Sequence, residues 1–175
     1  AVPHFHIIKE RSPNTENFFI YHKSTGNTGG LFLNTTGAFV DNAGYYNDTS
    51  PTSSVFTVKD TGGVNHDTTS NGHLAFLWSE KQGFSKFGSY EGNGSTSTTG
   101  GPFIYTGFSP SLIIIKDVDA TANWEMFDNK RIVGGYPAEL HPHASAVEST
   151  PPGDRRVLFK SNGFKIDTTY AAPIN

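Results

Sequence analysis

Apolar residues fall in short runs, each closed within a few positions by Gly, Pro, Asn, Asp or Ser. The runs are FHIIK from Phe5, FFIYH from Phe18, LFLN from Leu31, SVFTV from Ser54, HLAFLW from His73 and FGSY from Phe87. They continue with PFIYTGF from Pro102, LIIIK from Leu112, WEMF from Trp124, RVLFK from Arg156 and GFKI from Gly163. No helix-length window repeats apolar residues at three- and four-residue spacing. Short runs rich in aromatic and β-branched residues between turn formers predict strands. SVFTV alternates, with Val55 and Thr57 opposite Phe56 and Val58. HLAFLW and LIIIK are continuously apolar, which predicts central strands covered on both faces. Trp78, inside HLAFLW, is expected in the core. The predicted fold is all-β: a single antiparallel β-sandwich over residues 1–175, of jelly-roll or concanavalin-like type.

The pattern is written twice. Pro3–Glu10 (PHFHIIKE) aligns with Pro110–Asp117 (PSLIIIKD). After a polar loop one residue shorter in the second copy, Asn17-Phe18 and Tyr21 align with Asn123-Trp124 and Phe127. Phe56-Thr57-Val58 aligns with Phe164-Lys165-Ile166. A length change between two apolar runs is what a hairpin tip tolerates. The expected organisation is two pseudo-repeated halves, about 2–60 and 109–168, joined by strands within 73–107. Phe18 and Trp124, large rings at matching positions, are expected in the core. The chain opens on Ala1, and the second half has no counterpart of HLAFLWSE. The expectation is a segment of a longer chain, with a half that lacks a strand and can accept one from a neighbour.

Composition narrows the function classes. Hydrophobic residues are 35% of the 175, aromatic residues 13% and charged residues 17%, with a formal net charge of -3. Rings therefore supply much of the core. The charge balance argues against nucleic acid as a partner. No apolar stretch reaches the length of a spanning helix, so membrane insertion is not expected. Without cysteine there is no disulfide and no thiolate metal site.

Motifs that imitate catalytic sites dissolve on inspection. Arg131–Tyr136 (RIVGGY) resembles a protease activation site, but the length and triad residues such a fold needs do not follow; a glycine turn is expected. His4/His6 and His141/His143 are i, i+2 pairs that could share a strand face and hold zinc, yet each lacks an evident third ligand. Asp117 and Asp119 read as a solvated hairpin loop rather than a calcium loop. Glu80, Glu91, Glu125 and Asp128 are the carboxylates a glycosidase could use, but Glu125 and Asp128 fall on opposite faces of one strand. There is no nucleophile elbow, and GNGSTSTTGG lacks the lysine of a phosphate loop. Asn34, Asn47 and Asn93 sit in acceptor-like triplets that read as turns. No catalytic residue, metal or cofactor is expected. The best candidate for ligand contact is the loop Asp41–Pro51, where Tyr45, Tyr46, Asn47 and Asp48 combine rings with short polar side chains, as sugar sites do.

FFIYHKSTGNTGGLFLNTTGAF, YYNDTSPTSSVFTV, GFSKFGSYEGNGS, GPFIYTGFSPSLIIIK, NWEMFDNKR and SNGFKI together resemble a domain of tail-associated and other structural proteins of marine bacteriophages. The family pattern carries Trp at both Asn-aromatic positions; this chain has Phe18 at the first and Trp124 at the second. The resemblance implies a lectin-like sandwich in a virion and supplies no catalytic residue. The expected function is a non-enzymatic structural module, a tail-fibre or surface-decoration domain. Its expected partners are other virion proteins or copies of itself, with a host-surface glycan as a further ligand. Two alternatives stand beside it. One is a carbohydrate-active enzyme with two carboxylates facing one groove. The other is a purely structural, self-assembling subunit whose open sheet edges pair with neighbours.

Overall fold

A computed structural model of the chain describes residues 1–11, 16–60, 63–65, 72–97, 99–149, 156–167 and 174–175. The loop of the first predicted hairpin (12–15), Thr98 of GNGSTSTTGG and the end of the second half-repeat at residue 168 lie outside them. Among the described residues there are strands and no helix. The strands are β1 (Phe5–Glu10), β2 (Phe19–His22), β3 (Gly26–Phe32), β4 (Val40–Asp41), β5 (His73–Trp78) and β6 (Phe103–Tyr105). They continue with β7 (Leu112–Lys116), β8 (Trp124–Val133), β9 (Tyr136–Leu140), β10 (Val157–Lys160) and β11 (Gly163–Ile166). They form three antiparallel sheets, ordered β4-β3-β2-β1-β5, β7-β8-β9 and β10-β11-β6, packed together as a β-sandwich.

The two aligned stretches fold as hairpins of matching register. In β1–β2, His6 faces Tyr21, Ile7 faces Ile20 and Ile8 faces Phe19. In β7–β8 the corresponding pairs are Ile113 with Phe127, Ile114 with Met126 and Ile115 with Glu125. The period of two then sorts side chains to faces. On one face of the first sheet, Ile8, Phe19 and Tyr21 are buried under Tyr45, Tyr46 and Val64, with Phe56 and Val58 packed alongside. On its other face, Ile20 and Leu31 meet Trp124 of β8. The far face of β7–β8 buries Ile113, Ile115 and Phe127 against Val157, Phe164 and Ile166 of the third sheet. Phe56-Val58 and Phe164-Ile166 thus cover corresponding hairpins, although only the second pair lies in a strand.

RIVGGY is a tight hairpin turn. Val133 pairs with Tyr136, and Gly134 and Gly135 carry φ of 61° and 89°. Two consecutive left-handed residues match the twist of the flanking strands, and glycine meets that demand without strain.

Several expectations are corrected. HLAFLW and LIIIK are not central. Among the described residues each is the edge strand of its sheet, paired on one side only, and Leu74, Phe76, Leu112 and Ile114 are exposed. Trp78 is accordingly exposed rather than in the core, stacked on Phe76 and leaning on Phe5. Phe18 lies at the rim, with the Lys9 ammonium over its ring, whereas Trp124 is buried. SVFTV and FGSY form no strand, yet Phe56, Val58 and Tyr90 still turn inward. β9 was not predicted, because Pro137 cannot donate to a ladder and breaks the strand signature.

His6 is buried among Tyr21, Tyr46 and Phe56, and neither ring nitrogen has a hydrogen-bond partner among the described residues. Burial pushes its pKa down from 6.5 to about 4. The unfolded chain therefore binds this proton more readily than the folded one, so the stabilisation is complete above the unfolded value and is lost as pH falls toward 4. We expect His6→Phe to remove about 3 kcal/mol of the stability lost between neutral and acid pH. Urea unfolding of both proteins across that range checks it, and parallel pH curves would refute it.

Candidate functional site

The inner face of the second sheet changes character toward one end. Ile115 pairs with Glu125, and Phe127 pairs with both Ile113 and Glu139. Residues 113, 115, 125, 127, 139 and 141 therefore share one face. At one end that face is hydrocarbon; at the other it presents Glu125, Glu139 and His141. The carboxylate side chains are almost fully enclosed, Glu125 at 1% exposure and Glu139 at 0%, while His141 reaches the surface at 15%. His141 stands between the two acids: Nε2 lies 2.8 Å from Glu139 Oε1 and Nδ1 lies 3.3 Å from Glu125 Oε2. Nδ1 is also 3.3 Å from the main-chain oxygen of Trp124. One ligand atom from each of the three residues falls within 4.8 Å of the others. The His143 ring stands 5.6 Å from that of His141. Burial first, then the charges of His141 and Lys116, push the His143 pKa down.

The first sheet shows what the fold requires at these positions. Phe19 pairs with Phe32 and Ile20 with Leu31, as Met126 pairs with Leu140. Phe19, Gly30 and Phe32 are therefore the counterparts of Glu125, Glu139 and His141. In the first sheet Phe19 and Phe32 meet edge-on at 5.0 Å, and Tyr45 and Tyr46 approach the place a Gly30 side chain would occupy. Gly30 and Glu139 even share an outer neighbour position, Val40 for one and Ser149 for the other. Where one half is filled with rings, the other holds two acids and an imidazole.

Such a group can exchange protons, form an ion cluster or ligate a metal. A protonated His141 could donate to both carboxylates, a neutral one to only one. Glycoside hydrolysis needs its carboxyl pair open to substrate, whereas these two face the sandwich interior. Two surface hollows, of about 290 and 260 Å³, lie away from this group, one beside Glu80, Lys86 and Tyr105, the other beside Pro3, Val55 and Leu77.

The other sequence candidates have local roles. The Glu80 carboxylate takes Lys23 Nζ at 2.6 Å and the Phe87 amide at 2.9 Å, with Lys86 Nζ at 3.6 Å. Partial burial pushes its pKa up, but these partners together outweigh it and hold it near 2. Glu91 is exposed. Asp128 binds Arg131 and the amides of Lys130 and Arg131, on the strand face away from Glu125. Asp117 accepts the amides of Asp119 and Ala120, a turn of its own making. His4 Nδ1 accepts the Glu80 amide at 2.9 Å, whereas His6 is buried among rings. Of the loop proposed for ligand contact, Tyr45 and Tyr46 are buried in the core, so they form no exposed platform; Asn47 and Asp48 face solvent with φ of 52° and 46°. Sequence reading singled out Glu125 and the His141/His143 pair separately. It missed Glu139, although Glu139-x-His141 is itself an i, i+2 pair.

A family model matches residues 1–175 in full, and the chain belongs to that family, the domain of unknown function DUF7483. No curated protein and no solved structure matches the chain.

Breaking a buried ionic group leaves charge without its partner, whereas replacing the whole group by hydrocarbon does not. We expect Glu139→Ala to destabilise the domain by about 3–5 kcal/mol. Transplanting the first half's residues, Glu125→Phe, Glu139→Gly and His141→Phe together, should cost less than that single change. Urea denaturation of the two variants decides it, and a triple variant that loses the sum of three single losses would refute it.

Proposed function

We propose that this domain is a non-enzymatic assembly module of a virion, a tail-fibre or surface-decoration part, which joins neighbouring chains through its open sheet edges. The observation that carries the reading is β5. It pairs with β1 on one side and with no strand on the other among the described residues. Its side chains expose Leu74 at 51%, Phe76 at 50% and Trp78 at 42%. It contains neither Lys nor Pro, the residues that commonly blunt an edge. β7 is also an edge, with Leu112 and Ile114 exposed.

The two edges are related. β1 has neighbours on both sides, β2 and β5. β7 matches β1 in register but is paired only with β8 among the described residues. It offers the ladder that β1 gives to β5. The pairing in the first sheet also assigns faces: Phe76 and Trp78 lie beside Ile7 and Phe5, the face that meets Trp124 further along the sheet. Leu112 and Ile114 share the corresponding face of β7. The surfaces that close around Trp124 are therefore left uncovered at β5 and β7. A contiguous apolar surface beside an unpaired ladder suits strand addition by another chain, with main-chain hydrogen bonds giving affinity and side chains giving register. A self-complementary meeting of edges closes a dimer, and a β5-to-β7 meeting propagates along an assembly. The virion setting rests on the resemblance of the ordered motifs to phage structural proteins.

Light scattering on the purified domain should show association at micromolar concentration. Phe76→Lys and Ile114→Lys should abolish it while leaving the melting temperature near that of the parent. A strict monomer at millimolar concentration would refute assembly, and release of reducing ends from a polysaccharide would refute the non-enzymatic part.

A further inference from the structure

We infer that Glu125, Glu139 and His141 form a binding site for one divalent transition-metal ion, with zinc the best match, independent of the assembly edges. Convergence is the first argument. Two carboxylates and an imidazole from β8, β9 and the residue following β9 bring their ligand atoms within 4.8 Å of one another. Bonds of about 2.0–2.2 Å to a tetrahedral ion separate its ligands by roughly 3.3–3.6 Å. Glu139 Oε1 stands 2.8 Å from Nε2, the nitrogen that would bind, a little inside that spacing.

Orientation is the second argument. The Trp124 carbonyl faces His141 Nδ1 at 3.3 Å. Metal-bound histidines commonly give their second ring N–H to a main-chain carbonyl, which fixes the tautomer and presents the other nitrogen to the ion. Here that other nitrogen, Nε2, is the one beside Glu139. His141 reaches the surface while both acids are enclosed, so an ion approaches past the imidazole. His143, two residues on, brings a further ring to the same end of the site.

The third argument is that the fold does not need these groups. The corresponding positions of the first sheet are Phe19, Gly30 and Phe32, and that half closes on hydrocarbon. A nitrogen with two carboxylate oxygens suits zinc and its first-row neighbours, whereas calcium and magnesium favour sites built wholly of oxygen.

The test uses the whole 175-residue chain, stripped with EDTA and then titrated with Zn²⁺. Elemental analysis after gel filtration should find about one zinc per chain, and calorimetry one site. Glu125→Gln, Glu139→Gln and His141→Ala should each weaken binding at least tenfold, and circular dichroism reports whether each remains folded. A second readout needs no variant: Zn²⁺ should shift the ring resonances of His141 in the parent protein, and Co²⁺ should give visible d–d absorption. Zinc retained equally by the parent and a folded His141→Ala would overturn the assignment. So would a parent that retains none, or resonance shifts confined to the other histidines.

Discussion

Trp124 is the residue on which the two main sheets depend. Its indole N–H donates to the Phe32 main-chain oxygen at 3.0 Å, and its ring packs on Ile20 and Leu31. Main-chain bonds flank it, from Phe39 N–H to Val118 at 2.8 Å and from Ala122 N–H to Thr36 at 2.9 Å. Because Trp124 docks one face of β8 against the first sheet, the next residue must point to the other side. That side is covered too, by the third sheet. A strand enclosed on both faces gives a charged side chain no route to solvent, which is why Glu125 ends in the interior and must find company there. The site is thus a consequence of how the sheets are joined as well as of the residues in it.

The strands were largely legible because their signal is local. The short apolar runs between turn formers and the doubling of the first hairpin in the second named β1, β2, β7 and β8. What failed was the inference from continuous apolar runs to central strands. HLAFLW and LIIIK satisfy that rule, but among the described residues HLAFLW stays largely exposed and LIIIK is covered on one face only, and a rule about composition cannot see a missing neighbour. Tyr45 and Tyr46 failed for the opposite reason. Their loop looks polar and exposed, yet two rings side by side are large enough to serve as the lid of a hydrophobic cluster. The acidic site was half visible. Glu125 and His141 were noticed one at a time, but their meeting depends on the β8–β9 register, fixed by a glycine turn and a strand containing Pro137.

The two hairpins of matching register differ in what surrounds them. The first half closes with rings and carries a strand on the outer edge of β1. The second half leaves β7 open and keeps its polar groups inside. Rings provide non-directional cohesion and tolerate small shifts; enclosed acids demand specific partners at specific distances. Buried polar residues also occur in the first half, His6 and Glu10; His6 stands among rings, and with no hydrogen-bond partner among the described residues its neutral form is the one that fits.

β5 has a further consequence during synthesis. Its ladder partner β1 leaves the ribosome first and then waits while some sixty residues are made, several seconds at ordinary rates of translation. Through that interval the Phe5–Glu10 segment has β2 on one side and an unsatisfied edge on the other. When His73–Trp78 finally emerges, it is a short, uncharged, ring-bearing stretch that must find its own β1 before it finds another nascent chain. On a polysome, where identical chains are crowded, an unpaired edge of this kind is open to pairing with a neighbouring copy until its own strand arrives.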